Sequence, residues 1–332
     1  MKAAFFDTTG TPDVILVGDL PAPEPKPNEI RVRVAVAAIN PIDCYIRSGA
    51  APMPLPKPAI TGTDFAGTVD AVGANVSRYK VGDRVWGSNQ GLLGRQGTCA
   101  EFACVGEEWA YPTPDGVSDE QAAACALVGI TAHLGLFARA QLKPGEWVFV
   151  NGGTGGVGSM VVQMAKAAGA KVICTAGSSE KVAAALALGA GVALNYKTDD
   201  VTTKVKEATG AGANVWYETT PPGDFDKTVD AMAPRGRVVV MAGRAARPVL
   251  PNGPFYVKGL SLLGFAMFNM TADEQRACAD AMNAWLAAGA LRAPIGARFA
   301  LADAAKAHEL QEANTLKKAG TLSGKILILP NG

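Results

Sequence analysis

The residues best suited to chemistry lie in a glycine-rich stretch at 148–158, VFVNGGTGGVG, between an apolar run and a helical pattern. A glycine turn between a buried strand and a helix directs backbone N–H groups and the positive end of the helix dipole toward one point, which suits a pyrophosphate. Gly152, Gly155 and Gly158 form a GxxGxxG variant of the dinucleotide-binding pattern. We expect Gly152 to make the tight turn and Gly158 to pack the helix on the strand. Gly155 and Gly156 would let the phosphates approach the backbone.

The strand that follows predicts which dinucleotide binds. An NAD-binding protein usually places an acidic residue about 20 residues after the glycines, at the tip of the second strand. Residues 171–176, KVICTA, form this strand, and residues 177–181, GSSEK, follow it with no acid at the tip. Ser178, Lys181 and the Gly177 backbone suit a 2′-phosphate, which a carboxylate would repel, so the sequence predicts NADPH. The alternative, that Ser178 only caps a helix and Lys181 is a solvated lysine, stays open.

The elements that must position these residues follow from the hydrophobic pattern. Over residues 145–265, continuous apolar strands alternate with helical stretches, which is typical of a parallel sheet buried on both faces. Before about residue 115, short Val-, Ile- and Ala-rich runs alternate with Pro and Gly clusters, which indicates half-buried antiparallel strands. The sequence therefore predicts an α/β protein with a Rossmann doubly wound parallel sheet domain and a mainly antiparallel β domain. The expected parallel strands are 147–150, 171–176, 192–194, 213–217, 237–242 and 260–265.

Helix signals and the tail complete this prediction. Ser118-Asp-Glu-Gln121 resembles a capping box that opens a helix reaching residue 137. Residues 271–289 form a last amphipathic helix, and the tail from Arg292 returns to mixed helix and strand. We expect the tail to complete the first domain.

Composition excludes several classes of function. With 332 residues, of which 48% are hydrophobic and 18% charged, the chain is long enough for two packed cores. A net charge of +1 without a Lys- or Arg-rich run argues against nucleic acid. No signal peptide and no run of about 18 apolar residues is evident, so we expect no membrane partner and a cytoplasmic location. The six cysteines lack a C-x-x-C pair and are expected to be reduced thiols.

A set of motifs occurs in one order along nearly the whole chain. They are NPIDCYIRSG at 40–49, GTDFAG at 62–67, VGDRV at 81–85, the glycine stretch, and GKILI at 324–328. In these motifs the chain resembles the zeta-crystallin-like quinone oxidoreductases, the zinc-free branch of the medium-chain dehydrogenase/reductase superfamily. The resemblance implies a GroES-like catalytic domain at 1–122, completed by 292–332, and a Rossmann NADPH-binding domain at 123–291.

The resemblance also implies a site without metal. Zinc-containing relatives place Cys near Asn40 and His-Glu at Thr63 and Asp64, and this chain has neither. Its only histidines are two residues elsewhere, and Cys99 and Cys104 fall short of the four closely spaced cysteines of a structural zinc lobe. We therefore expect no metal.

Further site residues are implied by the resemblance. Tyr45 would lie near the nicotinamide, either as a proton donor or as a positioning group, and Asn40 would line the same pocket. Glu218 stands where relatives often have Asp, and residues 219–222, TTPP, depart from their usual Val-Gly. Tyr196 would help to close the 2′-phosphate pocket. The implied cofactor-binding residues are Thr131 at the domain junction, Thr154, Gly155, Gly156, Val157, Gly177, Ser178, Lys181, Tyr196, Gly243, Arg244, Ala266, Met267 and Phe268.

Structural explanations compete with several of these roles. Tyr45 as a core tyrosine with a satisfied hydroxyl is one alternative. Met267 and Phe268 as core or dimer residues are another, because apolar side chains after a strand usually pack. Four residues are expected to be structural rather than catalytic: Asp43 and Asp64 as hydrogen-bonding groups, His133 as a packed histidine, and His308 on a helix surface.

The expected reaction follows from the absence of an electrophile. Without zinc, reduction of an ordinary ketone needs another group to polarise the carbonyl, and the sequence offers none. A conjugated acceptor delocalises charge through its own π-system, so the protein needs mainly to position it. We therefore expect hydride or electron transfer from NADPH to small-molecule quinones or other α,β-unsaturated carbonyl compounds.

Two alternatives to this activity stay open. One is an enoyl-thioester reductase acting on acyl-CoA or acyl carrier protein, whose members carry a tyrosine at the position that Ala50 occupies after Gly49 in this chain. The other is an NADPH-binding structural or RNA-binding protein, although the chain has no basic patch. A homodimer that pairs through the strand at 260–264 is expected by resemblance. The glycine-containing loop at 88–97 is expected to rim the pocket, and its glycines permit a lid.

Overall fold

The computed structural model describes residues 1–221, 223–315, 317 and 319–331. The chain forms two compact units, one of Met1–Leu127 with Thr271–Gly332 and one of Val128–Met270. These limits differ from the predicted boundaries at 122/123 and 291/292. The helix at Ala272–Ala287 was expected in the second domain, yet it belongs to the first unit, where Arg276 donates to the Ala110 carbonyl at 3.2 Å. The assignment of catalytic and cofactor roles to the two domains stays a prediction.

Strands outnumber helices in the described part of the chain. The strands are β1 (Lys2–Phe6), β2 (Leu16–Asp19), β3 (Glu29–Ile39), β4 (Ala59–Ile60), β5 (Asp64–Val72), β6 (Arg84–Gly87), β7 (Phe102–Gly106), β8 (Ala110–Pro112), β9 (Trp147–Asn151), β10 (Lys171–Ala176), β11 (Val192–Asn195), β12 (Ala213–Glu218), β13 (Met232–Val240), β14 (Ser261–Gly264), β15 (Ile295–Ala300) and β16 (Lys325–Leu329). The helices are α1 (Pro41–Arg47), α2 (Asp119–His133), α3 (Gly156–Ala167), α4 (Ser179–Ala187), α5 (Val201–Thr209), α6 (Phe225–Ala231), α7 (Asn252–Val257), α8 (Ala272–Ala287) and α9 (Ala304–Thr315).

The first unit is built on a mainly antiparallel sheet. Its strands follow the order β15-β16-β3-β5-β6-β8, with β7 also paired to β3, and β2-β1-β4 form a smaller sheet. Strand β16 from the tail pairs antiparallel with β3, where Ile328 faces Ala37. Both strands bury their apolar side chains in one core, which includes Val34, Ile326 and Ile328. The tail therefore completes this sheet, as the sequence predicted.

The second unit contains a parallel sheet of six strands. Their order, β11-β10-β9-β12-β13-β14, is the doubly wound Rossmann order, and it reverses between β9 and β12. Phe149 on β9 stacks on Trp216 of β12 with ring centroids 3.8 Å apart, within the core of this unit. Ligands of such sheets bind beyond the carboxyl ends of the strands at the reversal point. The loop after β9 that reaches this point is the glycine stretch.

The predicted elements match the observed ones except for differences at their ends, such as α2, which ends at His133 rather than at residue 137. Strand β13 begins at Met232, five residues before the expected start at 237. The Ser118 hydroxyl accepts a bond from the Gln121 N–H at 3.2 Å, but the Gln121 side chain does not complete the capping box. Instead, the Gln121 side chain accepts the Ala293 N–H at 2.9 Å and donates to the Ala293 carbonyl at 3.1 Å. Ala293 lies far away in the sequence, in the tail of the same unit.

One described helical segment has the length and composition of a membrane span. It covers Asp119–Arg139, with a mean hydropathy of 1.6, and 72% of its most apolar window is buried inside the protein. The core helix of a globular domain meets the same criteria.

Candidate active site

The glycine turn after β9 has the geometry that the sequence predicts. Gly152 has a φ of +83°, a conformation that glycine adopts without strain, and its N–H donates to Thr175 Oγ1 at 2.9 Å. A Cβ on Gly158 would lie 2.0 Å from the Gly152 carbonyl oxygen, so the helix packs directly on the turn. Helix α3 begins at Gly156 after the N-cap residue Gly155, which makes no side-chain capping bond. The first-turn N–H groups of α3 therefore need a partner from outside the helix.

A polar network beside the turn joins the carboxyl ends of β9, β10 and β12. Asn151 Nδ2 donates to Glu218 Oε1 at 2.7 Å and to Thr220 Oγ1 at 3.0 Å, and Thr175 Oγ1 donates to Asn151 Oδ1 at 2.8 Å. The Trp216 indole N–H donates to the other Glu218 carboxyl oxygen at 3.3 Å. Burial raises the pKa of Glu218. Of these residues, Asn151, Thr175, Trp216 and Glu218 also line a cavity of about 170 Å³.

Sequence reasoning missed part of this network. It singled out Glu218 but gave no role to Asn151 or Thr175. The available signal was the polar last residue of an otherwise apolar strand, Asn151, which directly precedes the glycines. Such residues lie at the ligand-binding edge of a parallel sheet.

The predicted 2′-phosphate residues follow two neighbouring strands: Gly177, Ser178 and Lys181 come after β10, and Tyr196 comes after β11. Ser178 is the N-cap of α4, and its Oγ accepts a bond from the Lys181 backbone N–H at 3.3 Å. The Tyr196 Oη would lie 2.7 Å from a Cβ on Gly177, so Tyr196 covers this glycine while remaining 55% exposed. The Ser178 hydroxyl also bonds to the Glu180 carboxylate and lowers the pKa of Glu180. The helix cap foreseen as an alternative is thus present, and phosphate binding stays a prediction.

The remaining predicted cofactor residues of the glycine turn and of α2 differ in exposure. Gly155 is exposed, whereas Thr154, Gly156 and Val157 are half-buried on the same turn. Thr131 is 3% exposed, and its carbonyl accepts a bond from the Tyr217 hydroxyl. A backbone role for Thr131 in holding β12 is therefore observed, and its contact with a cofactor stays a prediction.

The predicted residues after β13 and β14 lie on irregular segments. Gly243 has a φ of +82° and lines a cavity of about 370 Å³, while Arg244 is exposed. Ala266 is half-buried and precedes a single turn at Met267–Asn269. The Met267 side chain is 5% exposed, which fits the packing alternative, and Phe268 is half-buried. Contact of these residues with a cofactor stays a prediction.

In the first unit, Tyr45 lies on the short helix α1 and is half-buried. The Tyr45 carbonyl accepts bonds from the Ala51 N–H at 2.9 Å and from the Ser48 hydroxyl at 3.2 Å. These bonds close the end of α1. The placement fits either of the predicted roles of Tyr45.

Asn40, at the start of α1, has no exposed surface. Its Nδ2 donates to Asp64 Oδ2 at 2.7 Å and to Thr63 Oγ1 at 2.9 Å, while its Oδ1 accepts a bond from the Lys325 ammonium. Because these bonds occupy both ends of the amide, the predicted contact between Asn40 and substrate finds no support in this placement. The observed role of Asn40 is to hold the beginning of α1.

Both buried aspartates are hydrogen-bonding groups, as predicted. Asp43 Oδ2 accepts the Asn40 backbone N–H at 2.7 Å, and burial raises the pKa of Asp43 to about 7. Asp64 Oδ1 accepts the Leu127 N–H at 3.2 Å, and burial raises the pKa of Asp64 as well. Lys325 lies 3.6 Å from Asp64, and burial lowers the pKa of the lysine. Asp43 thus supports the backbone at the start of α1, and Asp64 supports the backbone of α2 while accepting the Asn40 amide.

The donor set at these positions does not fit zinc. Zinc binds thiolate, imidazole and carboxylate ligands, commonly in sets of four. The positions implied for such ligands hold Asn40, Thr63 and Asp64, and the Lys325 ammonium donates to Asn40 and forms an ion pair with Asp64 at 3.6 Å. Within the described residues, no group of three or more His, Cys, Asp or Glu could hold a metal ion. Metal independence itself stays a prediction.

The prediction for His308 was wrong. Its side chain has no exposed surface, with Nε2 3.0 Å from Thr61 Oγ1 and Nδ1 3.7 Å from Cys44 Sγ. The reason is that α9 buries Ala304, Ala307, His308 and Gln311, which recur at helical spacing on one face. Burial lowers the pKa of His308 to about 3, so the ring is neutral at pH 7.

His133 is a packed histidine, as predicted. Its ring lies 4.7 Å from the Phe137 ring, centroid to centroid. Burial lowers the pKa of His133 to about 4.

The loop at 88–97 is packed rather than open. Leu92 has no exposed surface, and Asn89 Nδ2 donates to Gln275 Oε1 of α8 at 3.1 Å. Gln96 accepts the Ile60 N–H at 2.9 Å. The exposed part is confined to Leu93 and Gly94. This packing does not indicate a mobile lid. The sequence did not reveal it because the partner residues, such as Gln275, lie far away in the chain.

Fold and site together define a two-domain, dinucleotide-binding oxidoreductase of the medium-chain dehydrogenase/reductase superfamily. Residues 26–115 match the alcohol dehydrogenase GroES-like domain, and residues 156–284 match the zinc-binding dehydrogenase family. A curated quinone oxidoreductase of Pseudomonas aeruginosa is 35% identical over 338 residues, which cover 99% of each chain. The chain belongs to the quinone oxidoreductase family. The predicted fold and family are thereby confirmed.

Two solved structures extend the comparison to the whole chain. The quinone oxidoreductase of Escherichia coli, crystallised with NADPH, is 29% identical, with a TM-score of 0.85 and coverage of 99% of this chain and 100% of that one. A structure described as an NAD-dependent alcohol dehydrogenase is 32% identical, with a TM-score of 0.89 and coverage of 99% of both chains. These relatives differ in the cofactor that their descriptions name.

Proposed function

We propose that this chain transfers a hydride or electrons from NADPH to small-molecule quinones or other α,β-unsaturated carbonyl compounds, without a metal ion. In the two-electron case, the acceptor, NADPH and one proton give the reduced acceptor and NADP⁺. The observation that carries the proposal is the edge formed by β9 and β10, where a glycine turn meets a strand that ends without an acidic residue at positions 176–178. The P. aeruginosa and E. coli relatives named above add support for the acceptor class.

The residues of the second unit fit the proposed cofactor. The exposed Gly155 and the uncapped start of α3 suit the pyrophosphate, because backbone N–H groups and the helix dipole favour an anion there. Ser178, Tyr196 and Lys181 suit a 2′-phosphate, for which Ser178 would exchange its bond to Glu180. When bound, NADPH supplies the hydride. The chain itself supplies orientation and charge compensation.

The residues of the first unit suit an acceptor that needs little electrostatic help. Asp43, Asp64 and Lys325 are buried and bonded to one another or to backbone, so they are committed to structure. Tyr45 is the half-buried titratable group that α1 presents, and its hydroxyl would orient the acceptor or donate the proton. A quinone or enone spreads the developing charge over its own conjugated system, which matches this limited set of donors.

Steady-state oxidation of NADPH with a panel of acceptors tests the proposal. The panel contains an ortho-quinone, a para-quinone, a simple enone and crotonyl-CoA, each assayed also with NADH and after dialysis against a chelator. We expect turnover of quinones or the enone, a preference for NADPH, and no loss after chelation. Turnover confined to crotonyl-CoA would support the enoyl-thioester alternative, and binding of NADPH without any turnover would support a structural role.

A further inference from the structure

Lys325, the first residue of β16, carries a buried ammonium group. Its side chain is only 6% exposed, although lysine is almost never buried without partners. Its Nζ donates to the Ile39 carbonyl at 3.1 Å and to Asn40 Oδ1, and it lies 3.6 Å from Asp64 Oδ2. One ammonium group from the tail thus contacts the end of β3, the start of α1 and the start of β5.

The bonds from Lys325 and to Asp64 together fix how the Asn40 amide is oriented. Because an ammonium group only donates, the atom of Asn40 that faces Lys325 must be the oxygen. The Asn40 Nδ2 then points the other way, toward Asp64 and Thr63, to which it donates at 2.7 and 2.9 Å. Without Lys325, a buried carbonyl oxygen would lack its partner, and only the acceptors of Nδ2 would still hold the amide.

The oriented Asn40 is the N-cap residue of α1, the helix that carries Tyr45. Helix α1 is seven residues long, from Pro41 to Arg47, so the position of its first turn largely fixes Tyr45 near its end. Asp43 in that first turn accepts the Asn40 backbone N–H at 2.7 Å, which links the helix to the cluster of Lys325, Asn40, Thr63 and Asp64. A displacement of the cluster would therefore be passed on to Tyr45.

We propose that Lys325 is a positioning residue for the reaction, which acts by donating to Asn40 and thereby holding α1 and Tyr45 in place. This inference rests on the proposed function, in which Tyr45 faces the acceptor. The donation, rather than the positive charge alone, is the feature that matters. A neutral donor at position 325 should preserve it.

Two substitutions separate donation from charge. Lys325→Met has about the same length and no donor, whereas Lys325→Gln is neutral but keeps an N–H₂ group. We expect Lys325→Met to lower kcat for the acceptor about tenfold with an unchanged KM for NADPH, because a misplaced group slows the chemistry. Lys325→Gln should keep kcat within about threefold of the wild type.

Lys258→Met is the matched control. The Lys258 ammonium donates to the carbonyls of Val229, Asp230 and Met232 at 2.8 to 2.9 Å, all within the second unit. Its removal should cost stability without changing kcat for the acceptor. If Lys325→Met only lowered Tm, as the control does, the positioning role would be wrong.

Hydrogen exchange of the peptide covering residues 40–51 gives a readout that does not depend on turnover. We expect exchange there to rise about tenfold in Lys325→Met and to stay near the wild-type rate in Lys325→Gln, with residues 156–167 unchanged in both. Should Lys325→Met not fold, Lys325→Gln tests the proposal. A wild-type exchange rate at residues 40–51 and a wild-type kcat in Lys325→Gln would support the role of donation, whereas faster exchange together with a lower kcat would overturn it. A wild-type chain that reduced none of the acceptors would refute the proposed function, while the exchange data would still test the hold on α1.

Discussion

Gly158→Ala perturbs the glycine turn at the point where α3 touches it. A Cβ there would lie 2.0 Å from the Gly152 carbonyl oxygen and 2.9 Å from its carbonyl carbon, and backbone atoms cannot rotate aside as a side chain does. Overpacking of this severity costs about 3 kcal/mol, and the better helix propensity of alanine offsets about 1 kcal/mol. The net loss of about 2 kcal/mol should lower the Tm of the cofactor-free protein by about 4–8 °C in a thermal unfolding scan.

Gly155→Ala is the companion variant in the same turn. Gly155 has a φ of −70°, and a Cβ there would meet the Gly152 oxygen only at 3.4 Å, an ordinary contact. Because the space is sufficient but alanine is a poorer N-cap residue than glycine, its Tm should fall less than that of Gly158→Ala. The added methyl group would stand where the pyrophosphate approaches, so the Kd for NADPH should rise about tenfold in a fluorescence titration. An unchanged Tm in Gly158→Ala, or wild-type NADPH affinity in Gly155→Ala, would refute the reasoning about this turn.

Three further predictions concern single side chains. Lys181→Met should raise the KM for NADPH about tenfold and leave that for NADH unchanged, since a charge-assisted bond to a 2′-phosphate is lost; equal effects on both cofactors would reject this assignment. Tyr45→Phe should lower kcat/KM for a quinone about fivefold through loss of one hydrogen bond, and full activity would exclude Tyr45 from the acceptor site. Burial lowers the pKa of His308 from 6.5 to about 3, so the unfolded chain takes up its proton first and stability falls as the pH falls between these values. Between about pH 6 and about pH 4, the free energy of unfolding in urea should fall by about 1.4 kcal/mol less per pH unit in His308→Gln than in the wild type. If the free energies of the two proteins fell in parallel with pH, the buried neutral ring would be contradicted.

The glycine turn and its flanking elements in the second unit were predictable because their signals are local. The glycine turn, the strand before it and the helix after it lie within about 20 consecutive residues, and strand β10 with its acid-free tip follows directly. Gly152 can adopt its positive φ, and Gly158 can pack closely on the turn, because glycine has no Cβ.

The first unit was less predictable because its contacts are distant in sequence. Lys325 and Asn40 are 285 positions apart and meet only because β16 pairs with β3. The sequence therefore could not show that Asn40 is enclosed. His308 was misplaced for a related reason, since its helix is mostly polar and only the spacing of Ala304, Ala307 and Gln311 reveals the buried face.

Family membership leaves the cofactor and acceptor of this chain to experiment. The Ser178 hydroxyl caps α4 and also lowers the pKa of Glu180 by hydrogen bonding to it, so this side chain already has partners. A bound 2′-phosphate must therefore compete with these contacts. The homodimer and the cytoplasmic location also stay predictions, with β14 at the edge of the parallel sheet as the proposed pairing strand.

We would first measure kcat/KM for NADPH and for NADH with a single para-quinone acceptor, on chelator-treated protein, by following the absorbance of the reduced nicotinamide. The proposed 2′-phosphate contacts and metal-free chemistry predict sustained turnover and a value for NADPH at least about tenfold above that for NADH. Equal use of the two cofactors would contradict the assignment at the β10 tip, and turnover that required added zinc would contradict the interpretation of the Asn40 and Lys325 cluster as a metal-free site.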